Sequence, residues 1–192
     1  MKLLRVLPFA RRLLERTIVP GEIVVDATAG NGNDTQFLAK HVGEHGHVYA
    51  FDIQQAALDS TAQRLGELNN RVSLILDSHD KVEQYVNEKI GGAVFNLGYL
   101  PHSEDLSIVT KPDTTIKAIH TLLGMLKKGG IIAISVYDGH EGGAEERDAL
   151  LDFVMNLHQA DVHVVRYELI NQKNNPPFLI ALEKMKDFNT LD

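Results

Sequence analysis

Between Val24 and Thr35 the chain reads VVDATAGNGNDT, a short apolar run that breaks into glycines alternating with small polar residues. Ile23, Val24 and Val25 are β-branched and apolar on both faces, the pattern of a strand buried inside a parallel sheet. Asp26 falls at the carboxyl end of that strand. Ala27, Ala29, Gly30 and Gly32 keep side chains out of the way, so a ligand can approach the backbone and the chain can take positive φ. Asn33 or Asp34 can cap a helix over Thr35 to Val42, leaving amide N–H groups aimed into the turn. A strand, a glycine turn and a helix N-terminus form the nucleotide-binding crevice of open α/β sheets.

A second strand, His47 to Asp52, ends in an acid about twenty residues after the glycines, where a ribose-binding carboxylate belongs. The two-part pattern points to an adenosine-type cofactor. Beyond it, Gln54 to Asn69 has helical spacing, and Val72 to Leu76 is a third strand ending in Asp77-Ser78-His79-Asp80 on the same rim. Lys81 to Glu88 is expected as a short helix and Gly92 to Leu97 as the fourth strand, followed by the polar-aromatic loop Asn96 to His102. Thr114 to Leu126 is the next helix, with Lys127 to Gly130 as its C-terminal turn. Ile131 to Val136 is the fifth strand, and Tyr137 to Gly143 a second glycine-rich rim loop. Glu145 to Gln159 reads as a helix, Val162 to Leu169 and Phe178 to Glu183 as two last strands. Asn171 to Pro177 is too short for a crossover helix, so those strands form an antiparallel pair.

The 192 residues, 44% of them hydrophobic, suit one well-filled domain. With no cysteine the chain has no disulfide, thiolate metal site or cysteine nucleophile, and no metal is expected; the absence suits a cytoplasmic protein. No apolar run approaches the roughly 20 residues of a membrane span, so no membrane partner is expected. Leu3 to Val19 reads as an amphipathic helix stopped by Pro20-Gly21, and Arg11, Arg12 and Arg16 interrupt the apolar core a signal peptide needs. A net charge of −7 excludes a generally basic nucleic-acid binder, so any RNA contact is local. Lys2, Arg5, Arg11, Arg12 and Arg16, with Lys111, Lys117, Lys127 and Lys128, are the candidate patch, and a solvated helix face explains each equally well.

Strands and helices that alternate five times and end in a hairpin resemble the class I S-adenosylmethionine (SAM) dependent methyltransferases over nearly the whole chain. The resemblance implies an α/β, Rossmann-like, seven-stranded sheet of order 3-2-1-4-5-7-6, with strand 7 antiparallel and helices on both faces. Within that superfamily the motifs DATAGNGNDT, DIQ, DSHD, NLGYLP, GHEGG and NQKNNPPF resemble a bacterial family first labelled rRNA methylases. Its members are now assigned as tRNA 5-(aminomethyl)-2-thiouridine methyltransferases, MnmM. The chain carries Asn31 and Asn33 among its glycines and NLGYLP where many amino-group methyltransferases have NPPY.

Read onto matching positions, the resemblance implies SAM as cofactor, the anticodon stem-loop of tRNA as substrate and a homodimer as the assembly. Asn31, Asn33, Asp52, Gln54, Ser78 and His79 are the implied SAM contacts, with Asp26, Gly30, Asp34, Thr35, Asp77 and Asn96 completing the cofactor rim. Carboxamides at Asn31 and Asn33 can donate to the methionine carboxylate or accept from its ammonium. Asp52 can accept both ribose hydroxyls, and Gln54 can reach the ribose or the adenine edge. Tyr99 and His102 come from the loop beside the sulfonium, His140 and Glu141 from the loop opposite. A histidine or carboxylate there can take the proton of an amine, and an aromatic face can hold its cation. Methylation of rRNA or of a small amine, and a non-catalytic SAM-binding module, are the alternatives.

Overall fold

The β-branched run at Ile23–Asp26 forms β1, whose Val24, Val25 and Asp26 are fully buried because strands flank it on both sides. The computed structural model describes residues 3–98, 110–139 and 142–187. The remaining strands are β2 (His47–Asp52), β3 (Val72–Leu76), β4 (Ile90–Leu97), β5 (Leu126–Val136), β6 (Val162–Tyr167) and β7 (Phe178–Lys184). They form one sheet in the order β3-β2-β1-β4-β5-β7-β6. β1 pairs in parallel with β2 and β4, Val24 standing opposite Val48 on one side and Gly92 on the other. β7 runs antiparallel to both β5 and β6, as the short connection requires.

Helices α1 (Val6–Thr17), α2 (Asn33–Val42) and α3 (Gln55–Leu65) cover one face. There Leu14, Ile18 and Leu38 pack with Val48, Val94 and Ala133, and Leu58 with Ala50. Helices α4 (Pro112–Met125) and α5 (Gly143–Met155) cover the other, where Ile119, Leu122 and Leu150 meet Phe51, Phe95 and Ile134. Close approach of α1 is why Gly92 carries no side chain: a Cβ there would sit 3.2 Å from the Ile18 side chain and 3.1 Å from the Ile131 carbonyl. Since β1 to β5 are parallel, their carboxyl ends share one rim, which is where ligands of open α/β sheets bind.

Several boundaries differ from the sequence reading for local reasons. Gly66, at φ +55°, ends α3 after Leu65, and the chain continues as a 3-10 turn over Gly66–Arg71. The expected helix at Lys81 to Glu88 is instead a 3-10 segment over His79–Gln84. Lys127 to Gly130, expected as a turn, lie within β5 as an irregularity: Ile90 pairs with Leu126 but Gly92 with Ile131. α5 and β6 each end earlier than their periodicity suggested.

Candidate active site

Neither Asn33 nor Asp34 caps α2. The N-cap is Gly32, left-handed at φ +75°, and a Cβ there would fall 2.8 Å from the Thr61 Cα, so backbone conformation and packing against α3 both require glycine. Asn33 becomes the first helical residue, and Asp34 is freed to reach outward. Its carboxylate accepts from Arg11 Nε of α1 at 2.7 Å and from Asn96 Nδ2 of β4 at 2.9 Å. The Asn96 amide donates to Thr28 Oγ1 at 2.7 Å, so the ends of β1 and β4, the middle of α1 and the start of α2 are tied together.

Asp52 closes the glycine turn. Its Oδ2 accepts the Gly30 amide at 2.9 Å and its Oδ1 the Gln54 amide at 3.0 Å, leaving further lone pairs for hydroxyl donors. Burial pushes this carboxyl up, and the backbone amides of Gly30 and Gln54 partly counter it. Asn31 Oδ1 accepts from Ser60, and Arg64 Nε donates to the Asn31 carbonyl, which fixes the turn from the α3 side. On the β3 rim, Asp77 accepts from Lys81 Nζ at 2.6 Å, from the Ser78 amide and from the Tyr85 hydroxyl, the Lys81 contact foremost in holding it below the usual carboxylate range.

His79 is buried, its Nδ1 3.0 Å from the Ala27 carbonyl and its ring edge-on to Phe95. A carbonyl only accepts, so Nδ1 carries the proton and Nε2 is an acceptor, with no hydrogen-bond partner among the described residues. Burial lowers the pKa of this imidazole and keeps it neutral at pH 7.

These groups surround a cleft of about 870 Å3. Gly30, Asn31, Asn33, Asp34, Asp52, Gln54, Asp77, Ser78, His79 and Asn96 all line it. Asp26 and Thr35, expected beside them, stand behind the wall: both are fully buried, Asp26 accepting the Thr35 hydroxyl at 2.6 Å and the Thr28 amide at 3.1 Å. Their job is to set the shape of the turn, because neither reaches its surface. Tyr99, His102, His140 and Glu141 lie outside the described residues. Sequence reasoning missed Tyr137 and Asn175, which also line the cleft, and left Arg11 and Lys111, which line it too, among the cations of a candidate patch. Tyr137 and Asn175 belonged to motifs already singled out, YDGHEGG and NQKNNPPF.

Burial, reinforced by the charge of Asp34, raises the pKa of Asp26 to about 7. A carboxyl whose folded pKa lies above its unfolded value of 3.8 binds its proton more tightly in the native state. The contribution of Asp26 to stability is therefore full below about pH 4, declines as pH rises to about 7 and is level above. Asp26→Asn keeps both neighbours hydrogen-bonded, and chemical denaturation between pH 5 and 8 is expected to show a flatter stability profile than wild type. An unchanged slope would assign the pH dependence elsewhere.

A Rossmann-like sheet that ends in the β7 reversal, with an acid after β2 clamping a glycine turn after β1, defines the class I methyltransferase fold. Within that class the chain belongs to the family described as "Putative rRNA methylase", whose model matches residues 48–183. It is 36% identical over 182 residues to a chloroplastic tRNA (mnm(5)s(2)U34)-methyltransferase of Arabidopsis thaliana, covering 88% of this chain. The chain spans 66% of that protein's length. Among solved structures, a Streptococcus mutans protein described as a "putative methyltransferase" in complex with SAH is 43% identical, with a TM-score of 0.87 over 95% of this chain and 99% of that one. An rRNA methylase from Streptococcus thermophilus is 41% identical, with a TM-score of 0.82 over 96% and 99%.

Proposed function

We propose that this chain is an enzyme that transfers the methyl group of SAM to the aminomethyl nitrogen of the wobble uridine in tRNA, turning 5-aminomethyl-2-thiouridine into its methylaminomethyl form. The observation that carries the reading is the Asp52 clamp on the Gly30 turn, flanked by the His79 acceptor that has no partner among the described residues, in a chain of this family. The residues present fit SAM. Asp52, which has no ion pair among the described residues, offers a carboxylate to the cofactor's ribose, and Asn31, Asn33 and Gln54 add neutral donors and acceptors for its charged methionine end. Bound there, SAM supplies a methyl group activated by positive sulfur.

The chain's own work is alignment, proton removal and exclusion of water. Asn96 and Asp34 hold each other at the wall between the β1 and β4 rims, so an amine entering beside them meets polar groups already fixed. Tyr137 closes the β5 side, its hydroxyl pushed up by burial and by the Asp34 charge. We assign proton removal from the amine to His102 or His140, and an aromatic face for its cation to Tyr99. The enzyme acts as a cytoplasmic homodimer, paired along the β6 edge, where Val164 and Val165 are 37% and 50% exposed. A monomer in light scattering at micromolar concentration would end the dimer assignment.

Incubation with SAM and tRNA lacking the final methyl, followed by nucleoside mass spectrometry, tests the reaction. Conversion of the aminomethyl nucleoside is expected. Methylation of rRNA or a free amine in its place would overturn the substrate, and cofactor binding without any transfer would overturn the enzyme.

A further inference from the structure

The cleft is divided electrically. Its inner half carries the carboxylates of Asp34, Asp52 and Asp77, with Asp34 paired to Arg11 of α1, whereas its outer half is lined by the exposed Lys111 before α4 and Asn175 of the β6–β7 connection. Most described cations near carboxylates are neutralised internally: Arg11 by Asp34, Lys81 by Asp77, Lys117 by Asp80, Lys127 by Glu22, Arg147 by Asp138. Lys111 is exposed and forms no ion pair among the described residues. In a chain of net charge −7 an exposed cation at the mouth of the cleft gives a polyanion a local point of attraction beside the site.

Asn175 supplies the second observation. It and Asn174 both have positive φ, 46° and 65°, the left-handed region that asparagine tolerates better than most side chains. This backbone turns an exposed carboxamide into the cleft wall immediately before Pro176-Pro177. A carboxamide offers donor and acceptor together, the pair needed for a base edge. The volume, about 870 Å3, is near the upper end for small-molecule clefts and leaves room beside a cofactor for a second ligand.

We propose that the outer half of the cleft is the seat of an unstacked RNA nucleotide, with Lys111 holding a flanking phosphodiester and the Asn175 carboxamide hydrogen-bonding the base edge. It deepens, and rests on, the RNA methyl transfer proposed above. An enzyme that modifies a base must take it out of its stack, and a single-stranded anticodon loop makes this easy. The phosphate then lies at the cationic mouth, away from the inner carboxylates.

The test is binding of a fluorescent anticodon stem-loop RNA to the full chain over a range of salt, with SAM affinity measured by calorimetry. Lys111→Ala is expected to weaken RNA binding about three- to tenfold at low salt and to reduce the salt slope by about one, with SAM affinity unchanged. Lys128, grouped with Lys111 in the sequence, stands at the amino-terminal end of β5, opposite the carboxyl rim that carries the cleft, so Lys128→Ala removes the same charge and should leave the slope intact. Asn175→Gly keeps the left-handed backbone and removes the carboxamide. Wild type should prefer the uridine loop over an abasic loop by about tenfold, and this variant should lose that preference. Equal slopes for Lys111→Ala and Lys128→Ala, or a preference that survives Asn175→Gly, would overturn the seat. Binding that depends on both residues, without methylation of the wobble uridine, would keep the seat and overturn the proposed reaction.

Discussion

Replacing Asp52 with alanine is expected to weaken SAM binding by tenfold or more. Two ribose hydroxyls would lose a charged acceptor, a change of about 1.5–3 kcal/mol for one such hydrogen bond. The structure adds a second contribution, because the same carboxylate holds the Gly30 and Gln54 amides. Alanine therefore also releases the turn that approaches the cofactor. Asp52→Asn is expected to rescue little, since one of the two backbone donors would then face an amide NH2. Calorimetric titration of SAM into wild type and both variants measures this. Wild-type affinity in Asp52→Ala would remove Asp52 from the ribose and leave it a loop clamp alone.

The second large effect is on stability, at Glu146 in the first turn of α5. This carboxylate is 3% exposed and has no cation in contact among the described residues. Its Oε2 accepts from the Thr110 hydroxyl at 2.6 Å and its Oε1 from the Thr115 hydroxyl at 2.7 Å. Thr110 Oγ1 in turn accepts the Gly98 amide at 3.0 Å, so Glu146 fixes the residues where β4 leaves the cleft and α4 returns to it. Glu146→Ala leaves two hydroxyls without their acceptor and opens a void, with an expected cost of about 2–4 kcal/mol. Glu146→Gln can still accept from one threonine and donate to the other, and should cost about 1 kcal/mol. Chemical denaturation separates them. Equal losses in both variants would mean that the hydrogen bonds are not what makes this buried group tolerable.

What the sequence made legible was local. The VVDATAG run, the acid at the end of β2 and the Asn171 to Pro177 connection each depend on neighbouring residues, and each stands where periodicity put it. The same logic placed Gly30, Asp52, Ser78 and Asn96 on one rim, because parallel strands end together. Long-range pairing was not legible. Arg11 reads as one more cation on an amphipathic helix until folding brings it to Asp34, twenty-three positions along the chain. Asp26 has the type and place of a cofactor ligand, but the Thr28 amide and Thr35 hydroxyl turn its carboxylate inward. The bulge at Lys127 to Gly130 follows the register of β4, which no property of those four residues encodes. Asn175 takes the left-handed turn that asparagine tolerates, but only the folded chain brings that turn to the cleft.

The most direct test follows the methyl group itself. A single turnover with SAM carrying a deuterated methyl and tRNA bearing 5-aminomethyl-2-thiouridine, digested and fragmented by tandem mass spectrometry, locates the label within the nucleoside. The account predicts deuterium on the side-chain nitrogen of the wobble uridine, with Asp52→Ala giving the same product only at raised SAM concentration. Label on a ribose oxygen, on a ring atom or on another nucleoside would contradict it.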